Sequence, residues 1–155
     1  MQPRFLPLDP DFVASIRKGG PDANGQPAER AISNGGGVSC RFCLRDVPEG
    51  AGYLILAARP FPALQPYAET GPLFVCEEEC EAWQGDGVPP ILMNSPDYLV
   101  KGYSADHRIV YGTGQITPAG EVADYAGALL EDPGIAHVDI RSARNNCFQT
   151  RAVRT

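Results

Sequence analysis

Two pairs of cysteines constrain this chain more than any other feature of its sequence. Cys40 and Cys43 are separated by two residues, and Cys76 and Cys80 by three, so these two short stretches hold four of the five cysteines. Two such pairs can place four thiolates at the corners of a tetrahedron around Zn²⁺, with bonds of about 2.3 Å. Four protein ligands leave no position for water. The sequence therefore predicts one structural zinc ion per chain, bound by Cys40, Cys43, Cys76 and Cys80.

The residues around each pair indicate how the sulfurs would be presented. Before the first pair, Asn34-Gly35-Gly36-Gly37 provides a flexible approach. Leu73-Phe74-Val75 predicts a strand, and the three glutamates 77–79 are typical of the first turn of a helix, which we expect to run through Trp83. Cys76 would then end a strand and Cys80 would lie in a first helical turn. This order of elements is similar to treble-clef zinc sites, an analogy of fold alone.

Other interpretations of the cysteines stay open. Unligated buried thiols pack like small hydrophobic side chains and need no metal. A redox pair or an iron site is a further alternative. A redox Cys-x-x-Cys ordinarily opens a helix, however, and the segment from Leu44 to Pro48 cannot sustain a long one.

Length and composition predict one domain spanning residues 1–155 with many loops. The chain holds 17 glycines and 15 prolines, and residues 20–37 are so rich in loop-forming types that we expect a flexible loop there. No apolar stretch is long enough for a signal peptide core or a membrane span, which predicts a cytoplasmic protein with reduced thiols and no membrane partner. The net charge of −6 argues against nucleic acid as a partner.

The charge is unevenly distributed along the chain. Residues 140–155 contain four arginines and no acidic residue. These arginines either pair with the acidic body of the protein or form a pocket for a small anionic ligand or a protein partner. The candidate ligand-binding residues are Arg141, Arg144, Asn145, Tyr67 and Glu69. Turn-stabilising hydrogen bonding is the alternative role for all of them, and is favoured for Asn145. A homo-oligomer is compatible with the sequence.

The order of elements favours an α+β fold with a mainly antiparallel sheet, two or three short helices and long loops. Near the N-terminus we expect an edge strand over residues 5–8, followed by a short helix that Asp9 caps. Apolar residues 53–58 predict a buried strand.

Two hairpins and a helix are predicted in the second half of the chain. The first hairpin pairs residues 98–103 with residues 108–112 and leaves His107 solvated in its turn. A helix then starts at Thr117-Pro118. In the final hairpin, residues 137–141 alternate, with Val138 and Ile140 facing inward and His137, Asp139 and Arg141 sharing the other face, and residues 147–153 return.

The final hairpin also suggests an enzyme as the alternative function. Cys147 lies outside the two pairs and among arginines, which favour a thiolate nucleophile. His137 across the hairpin would be its base, oriented by Asp139 or Glu69. This arrangement requires a register that places the histidine and the thiol side by side.

Several motifs resemble one bacterial family, catalogued as domain of unknown function 1203. They are Cys40-x-x-Cys43-Leu44-Arg45-Asp46, Arg59-Pro60-Phe61, the run from Tyr67 to Val75, and Arg141-Ser142-Ala143-Arg144 to Cys147. The similarity runs from about Phe5 to Arg154. It implies a stand-alone bacterial cytoplasmic domain and supplies no activity. It also implies that histidine often replaces Cys76, an exchange that a zinc ligand tolerates.

Overall fold

Two antiparallel sheets and two helices form the structure, a computed structural model that describes residues 1–155. The strands are β1 (Arg4–Leu6), β2 (Glu29–Ile32), β3 (Gly52–Ala58), β4 (Gly71–Cys76), β5 (Asp97–Tyr103), β6 (Gln115–Pro118), β7 (His137–Ser142) and β8 (Phe148–Val153). The α-helices are α1 (Pro10–Arg17) and α2 (Val122–Leu130), and 3₁₀ turns span Pro90–Met93 and Ala119–Glu121. The predicted α+β class is confirmed. No helix is both long and apolar enough to cross a membrane.

The larger sheet has the strand order β1-β8-β7-β5-β6. One face packs against α2 through Val100, Val138 and Ile140. The other face of β7 was expected to be less buried, but residues 137–141 are all buried. The reason is position, since β7 lies at the centre of the sheet and the segment after β3 covers its second face.

The smaller sheet has the order β2-β3-β4 and forms a second core with α1. As predicted, Asp9 caps α1 by accepting a hydrogen bond from the Asp11 backbone N–H, and Val13 and Ile16 are buried. Strand β2 lies within residues 20–37, where no regular structure was predicted. Its side chains are mostly exposed, so the sequence carries no alternation of apolar and polar residues to indicate it.

The predicted helix after Cys76 is wrong, because residues 77–83 contain no helix. The backbone N–H of Glu77 donates to Gly52 at 3.1 Å, and that of Trp83 donates to Phe42 at 3.0 Å. These bonds attach the start of the segment to β3 and its end to the first cysteine pair. The three consecutive glutamates therefore do not form a helical turn.

Two further boundaries differ from the prediction. The turn after β5 forms as expected, but the returning residues 108–112 make only an isolated bridge between Tyr103 and Ile109. Instead β6 pairs with β5, so Thr117 lies in a strand and α2 begins at Val122. The strand that pairs with this edge of β5 is therefore β6, which begins after the loop containing Gly112 and Gly114.

Candidate metal centre

The four paired cysteines meet at one point. Their sulfur atoms all lie within 4.8 Å of one another, and the Sγ atoms of Cys40 and Cys80 are 3.9 Å apart. Cys40 and Cys43 are buried, while Cys76 and Cys80 are partly exposed. The sequence spacing thus identified the cluster, although it placed Cys80 in a helix that does not form.

A tight turn presents the first pair. The Cys40 backbone N–H donates to the Arg45 carbonyl at 3.0 Å, and that of Leu44 donates to the Cys40 carbonyl at 3.0 Å. Leu44 has a φ of 55°, a left-handed conformation that reverses the chain directly after Cys43. Its side chain is completely buried in the core that the larger sheet forms with α2, and this burial compensates for the unfavourable backbone conformation.

Strand β4 brings the second pair to the first. Cys40 forms a parallel bridge with Phe74, and β4 ends at Cys76 two residues later. The loop after β4 then returns Cys80 to the same place. Sequence-distant segments are therefore joined by ordinary backbone pairing, and the four sulfurs converge as a result.

Hydrogen-bond donors surround the sulfurs. The Cys40 Sγ accepts from the backbone N–H groups of Cys76 at 3.2 Å and Phe42 at 3.4 Å. The Arg17 guanidinium lies 3.1 Å from the Cys80 Sγ and donates to the Cys76 carbonyl at 3.1 Å. Hydrogen bonds from the Cys43, Cys76 and Cys80 thiols hold the pKa of Cys40 far below that of a free thiol. The cluster thus stabilises one thiolate, at Cys40, whereas the hydrogen bonds to Cys40 raise the pKa values of Cys43 and Cys76.

These distances fit a single metal ion. Tetrahedral bonds of about 2.3 Å place neighbouring sulfurs about 3.8 Å apart, close to the observed 3.9 Å between Cys40 and Cys80. A disulfide needs a separation of about 2.05 Å, and all five cysteines are free thiols. Four sulfur ligands in this arrangement suit zinc or iron.

Arg41 connects the cysteine turn to the larger sheet. Its side chain, only 5% exposed, donates to the Phe148 carbonyl of β8 at 2.7 Å and to the Ser39 carbonyl at 2.7 Å. Its backbone carbonyl accepts from the Leu8 N–H at 3.0 Å. Burial lowers the pKa of Arg41 to about 10, which leaves it charged at neutral pH. The turn is therefore a junction between both sheets and the N-terminal segment.

The predicted ligand-binding residues fall into separate groups. One face of the larger sheet carries Lys101 and Tyr103 of β5 and His137, Asp139 and Arg141 of β7, and is called the polar face here. Glu69 lies over this face, where it accepts hydrogen bonds from Tyr103 at 2.6 and 2.8 Å and from Lys101 at 3.0 Å. Arg141 Nη1 is 3.2 Å from a Glu69 oxygen, without the alignment of a hydrogen bond. The structure thus brings Glu69 and Arg141 together, in a largely buried ion pair.

The other three predicted residues are not part of this group. Arg144 is exposed and donates to Asp97 at 2.7 Å. Asn145 is exposed in the turn between β7 and β8. Tyr67 forms a hydrogen bond to Tyr111 at 3.0 Å. Their role in ligand binding stays a prediction.

The predicted pairing of Cys147 with His137 is wrong. In the register of β7 and β8, Val138 pairs with Ala152, whereas Cys147 adjoins Ser142 at the other end of the hairpin. At about 3.3 Å per residue, the length of β7 separates the histidine from the thiol. His137 cannot act as the base for Cys147.

His137 instead belongs to a hydrogen-bonded network of side chains that the sequence did not predict. Its Nδ1 lies 3.1 Å from Asp139, and its Nε2 lies 3.1 Å from His107 Nδ1. Arg151 donates to both oxygens of Asp139 at 2.7 and 3.0 Å. The expectation of a solvated His107 is therefore wrong, since its ring packs against Phe61 and His137. Alternation along β7 was the only sequence signal for this group.

Comparison with known proteins identifies one family. A family model described as "Protein of unknown function (DUF1203)" matches residues 37–154, the range that holds all four clustered cysteines and the polar face of the larger sheet. No curated protein and no solved structure matches the chain.

Proposed function

The chain belongs to the DUF1203 family, and we propose that it is a small binding domain braced by one zinc ion on Cys40, Cys43, Cys76 and Cys80. The convergence of four sulfurs within 4.8 Å of one another is the observation that supports this proposal. Unligated thiols would gain only weak S–H hydrogen bonds from so close a mutual approach. The proposal requires reduced thiols, in keeping with the cytoplasmic location expected from the sequence.

The role of the ion is structural. Four thiolates fill a tetrahedral zinc site and leave no position for a substrate or an activated water. Four thiolates and Zn²⁺ together carry two negative charges. The Arg17 guanidinium beside Cys80 and the two backbone N–H groups that donate to the Cys40 Sγ offset this charge. Zinc is favoured over iron by the redox-inactive bracing role, and elemental analysis distinguishes the two metals.

The metal stabilises the junction between the two sheets. Arg41, between the two ligands of the first pair, holds Phe148 of β8 and Leu8 of the N-terminal segment. Loss of the metal would weaken this turn, since its sulfur ligands would no longer be held together and only its hydrogen bonds and the buried Leu44 would remain to fix it. Binding free energy of a structural zinc ion is folding free energy.

The binding part of this proposal concerns a small anion. Arg141 and Arg144 were predicted to hold it, and each already has a carboxylate partner, Glu69 and Asp97 respectively. A ligand at either arginine would have to share or displace that carboxylate. The same hairpin also carries Arg151, which is paired with Asp139 and lines a groove.

Elemental analysis of protein purified without chelator tests the metal. We expect about one zinc per chain, and a cooperative loss of native structure by near-UV circular dichroism when a strong chelator removes it. Cys43→Ser should lower both the zinc content and the melting temperature. Cys147→Ser is the matched control, since Cys147 lies outside the cluster, and should change neither.

Two outcomes would overturn the proposal. The first is metal-free protein that keeps its native spectrum in chelator. The second is equal behaviour of the two serine variants. Iron in place of zinc would confirm that the four cysteines bind a metal but would show that the assignment to zinc is wrong.

A further inference from the structure

We propose that a groove between the two sheets binds a small molecule with an apolar ring or chain and a single carboxylate. This groove, here the inter-sheet groove, is lined by residues 6–9 and Phe12, by residues 58–62 at and after the end of β3, and by Phe148 and Arg151 of β8. The inference deepens the proposed binding function. It rests on the metal only through Arg41, which positions Leu8 and Phe148.

The size and walls of the groove suit a small apolar body. Its volume is about 390 Å³, within the range of about 300–1,000 Å³ that ligand pockets occupy. Leu8, Phe12, Phe61 and Phe148 provide aliphatic and aromatic surface. Such walls bind apolar groups by excluding water and offer little to a fully hydrophilic ligand.

Arg151 supplies a fixed cationic group at one side of the groove. The buried Asp139 binds its Nε and Nη2 atoms, and its guanidinium lies 5.0 Å from the Phe61 ring centroid and 5.9 Å from that of Phe148. The remaining Nη1 forms no hydrogen bond with the protein. A guanidinium held in this way is preorganised, so a ligand bond to it costs little conformational entropy.

Arg59 supplies the charge that has no partner. It follows β3 directly, lines the groove, and forms no ion pair with any carboxylate of the chain. Its Nε is buried and lacks a hydrogen-bond acceptor. No other nitrogen of this guanidinium donates a hydrogen bond within the protein either, so a carboxylate in the groove could bind its terminal nitrogens with charge-assisted bonds.

The charge balance selects a monoanion. Asp139 neutralises Arg151, which leaves Arg59 as the uncompensated cation. Asp9 is the acidic residue at the rim, but it is exposed and caps the N-terminus of α1, whose dipole offsets its charge. One unpaired guanidinium matches one carboxylate, whereas doubly charged phosphate would remain undercompensated within apolar walls.

Titration of the zinc-loaded protein with phenylacetate, followed by ¹⁵N–¹H NMR, tests this proposal. We expect saturable shifts at the amides of Ala58, Arg59, Phe61 and Phe148, with a Kd between about 0.1 and 10 mM for a ten-atom ligand. Phenylacetamide, its uncharged isostere, should bind at least about tenfold more weakly. Inorganic phosphate should leave these amides unchanged.

Matched arginine variants locate the charge. Arg59→Ala should raise the Kd for phenylacetate at least about tenfold, whereas Arg30→Ala removes one exposed arginine on β2, outside the groove, and should leave the Kd unchanged. If Arg59→Ala fails to fold, Arg59→Lys provides the test. Because lysine keeps the charge but lacks the planar guanidinium, we expect a Kd between those of the wild type and a charge-free variant. Zinc content measured on each sample separates loss of the groove from loss of the metal.

Three results would overturn the inference. They are the absence of saturable shifts up to about 20 mM phenylacetate, equal affinity for the acid and the amide, and equal effects of the Arg59 and Arg30 substitutions. Preferential binding of phosphate at these amides would reject the carboxylate in favour of a phosphorylated ligand.

Discussion

Replacement of Asp139 by asparagine tests the energetic role of the buried polar face. Asp139 is completely buried between β5 and β8, and accepts hydrogen bonds from His137 and from two nitrogens of Arg151. The amide keeps one acceptor oxygen but places an NH₂ group opposite an Arg151 N–H. The variant therefore loses one charge-assisted hydrogen bond, worth about 1.5–3 kcal/mol, and leaves a largely buried guanidinium without its counter-charge.

The expected cost of Asp139→Asn is about 3–5 kcal/mol, the range for breaking a buried ion pair. Asp97→Asn is the matched control, because its partner Arg144 is exposed and a surface pair contributes about 0–1 kcal/mol. Urea unfolding of the zinc-loaded proteins measures both free energies. Equal costs for the two substitutions would refute the claim that burial gives Asp139 its importance.

Acid sensitivity provides an independent check on the same residue. Burial alone would raise the pKa of Asp139, but hydrogen bonds from His137 and Arg151 lower it below the ordinary value. A depressed carboxyl pKa contributes stability that is present above about pH 4 and is lost as the pH falls through the folded-state pKa. Asp139→Asn should remove this part of the acid dependence.

Two further predictions concern the same face of the sheet. Tyr103→Phe should lower the free energy of unfolding by about 2 kcal/mol, because it deletes the hydroxyl that donates to both Glu69 oxygens. Burial and the Glu69 hydrogen bond also raise the pKa of Tyr103, so wild type should lose stability above about pH 10 more steeply than the variant in pH-dependent unfolding. Burial and the neighbouring His137 lower the pKa of His107, so its contribution is present above about pH 6.5 and is lost as the pH falls. His107→Asn, which tolerates the φ of 63°, should flatten this loss in thermal melts between pH 7 and 5, and an unchanged slope would contradict the assignment.

Local chemistry explains which parts of the fold could be predicted. Asp9, Pro10 and the apolar spacing of Val13 and Ile16 specify α1 within a few residues, so its cap and its buried face followed from sequence. The spacing of the cysteines likewise predicted their convergence, since two short pairs have few other ways to use four thiols.

Tertiary context decided what could not be predicted. The glutamates 77–79 have the composition of a helix start, but the backbone N–H groups of Glu77 and Trp83 donate to the sequence-distant carbonyls of Gly52 and Phe42, and the segment is not helical. Strand β2 forms because an edge of β3 is free to pair, and not because of its own residues.

The polar face shows the same limitation for the candidate sites. His137, Asp139 and Arg141 were correctly placed on one face of β7, but their partners Glu69, His107 and Arg151 come from three other segments. His137 begins β7 and Cys147 precedes β8, so the antiparallel hairpin places them at opposite ends, and this separation could have been predicted from the hairpin itself. The one-residue irregularity between Ile140 and Arg141 does not change it, and a single sequence carries no signal for that irregularity.

X-ray absorption at the zinc edge of the purified protein tests the central claim most directly. The account predicts a first coordination shell of four sulfur atoms at about 2.3 Å, without nitrogen or oxygen. A shell with fewer than four sulfurs, or with light-atom ligands, would contradict a closed site formed by Cys40, Cys43, Cys76 and Cys80.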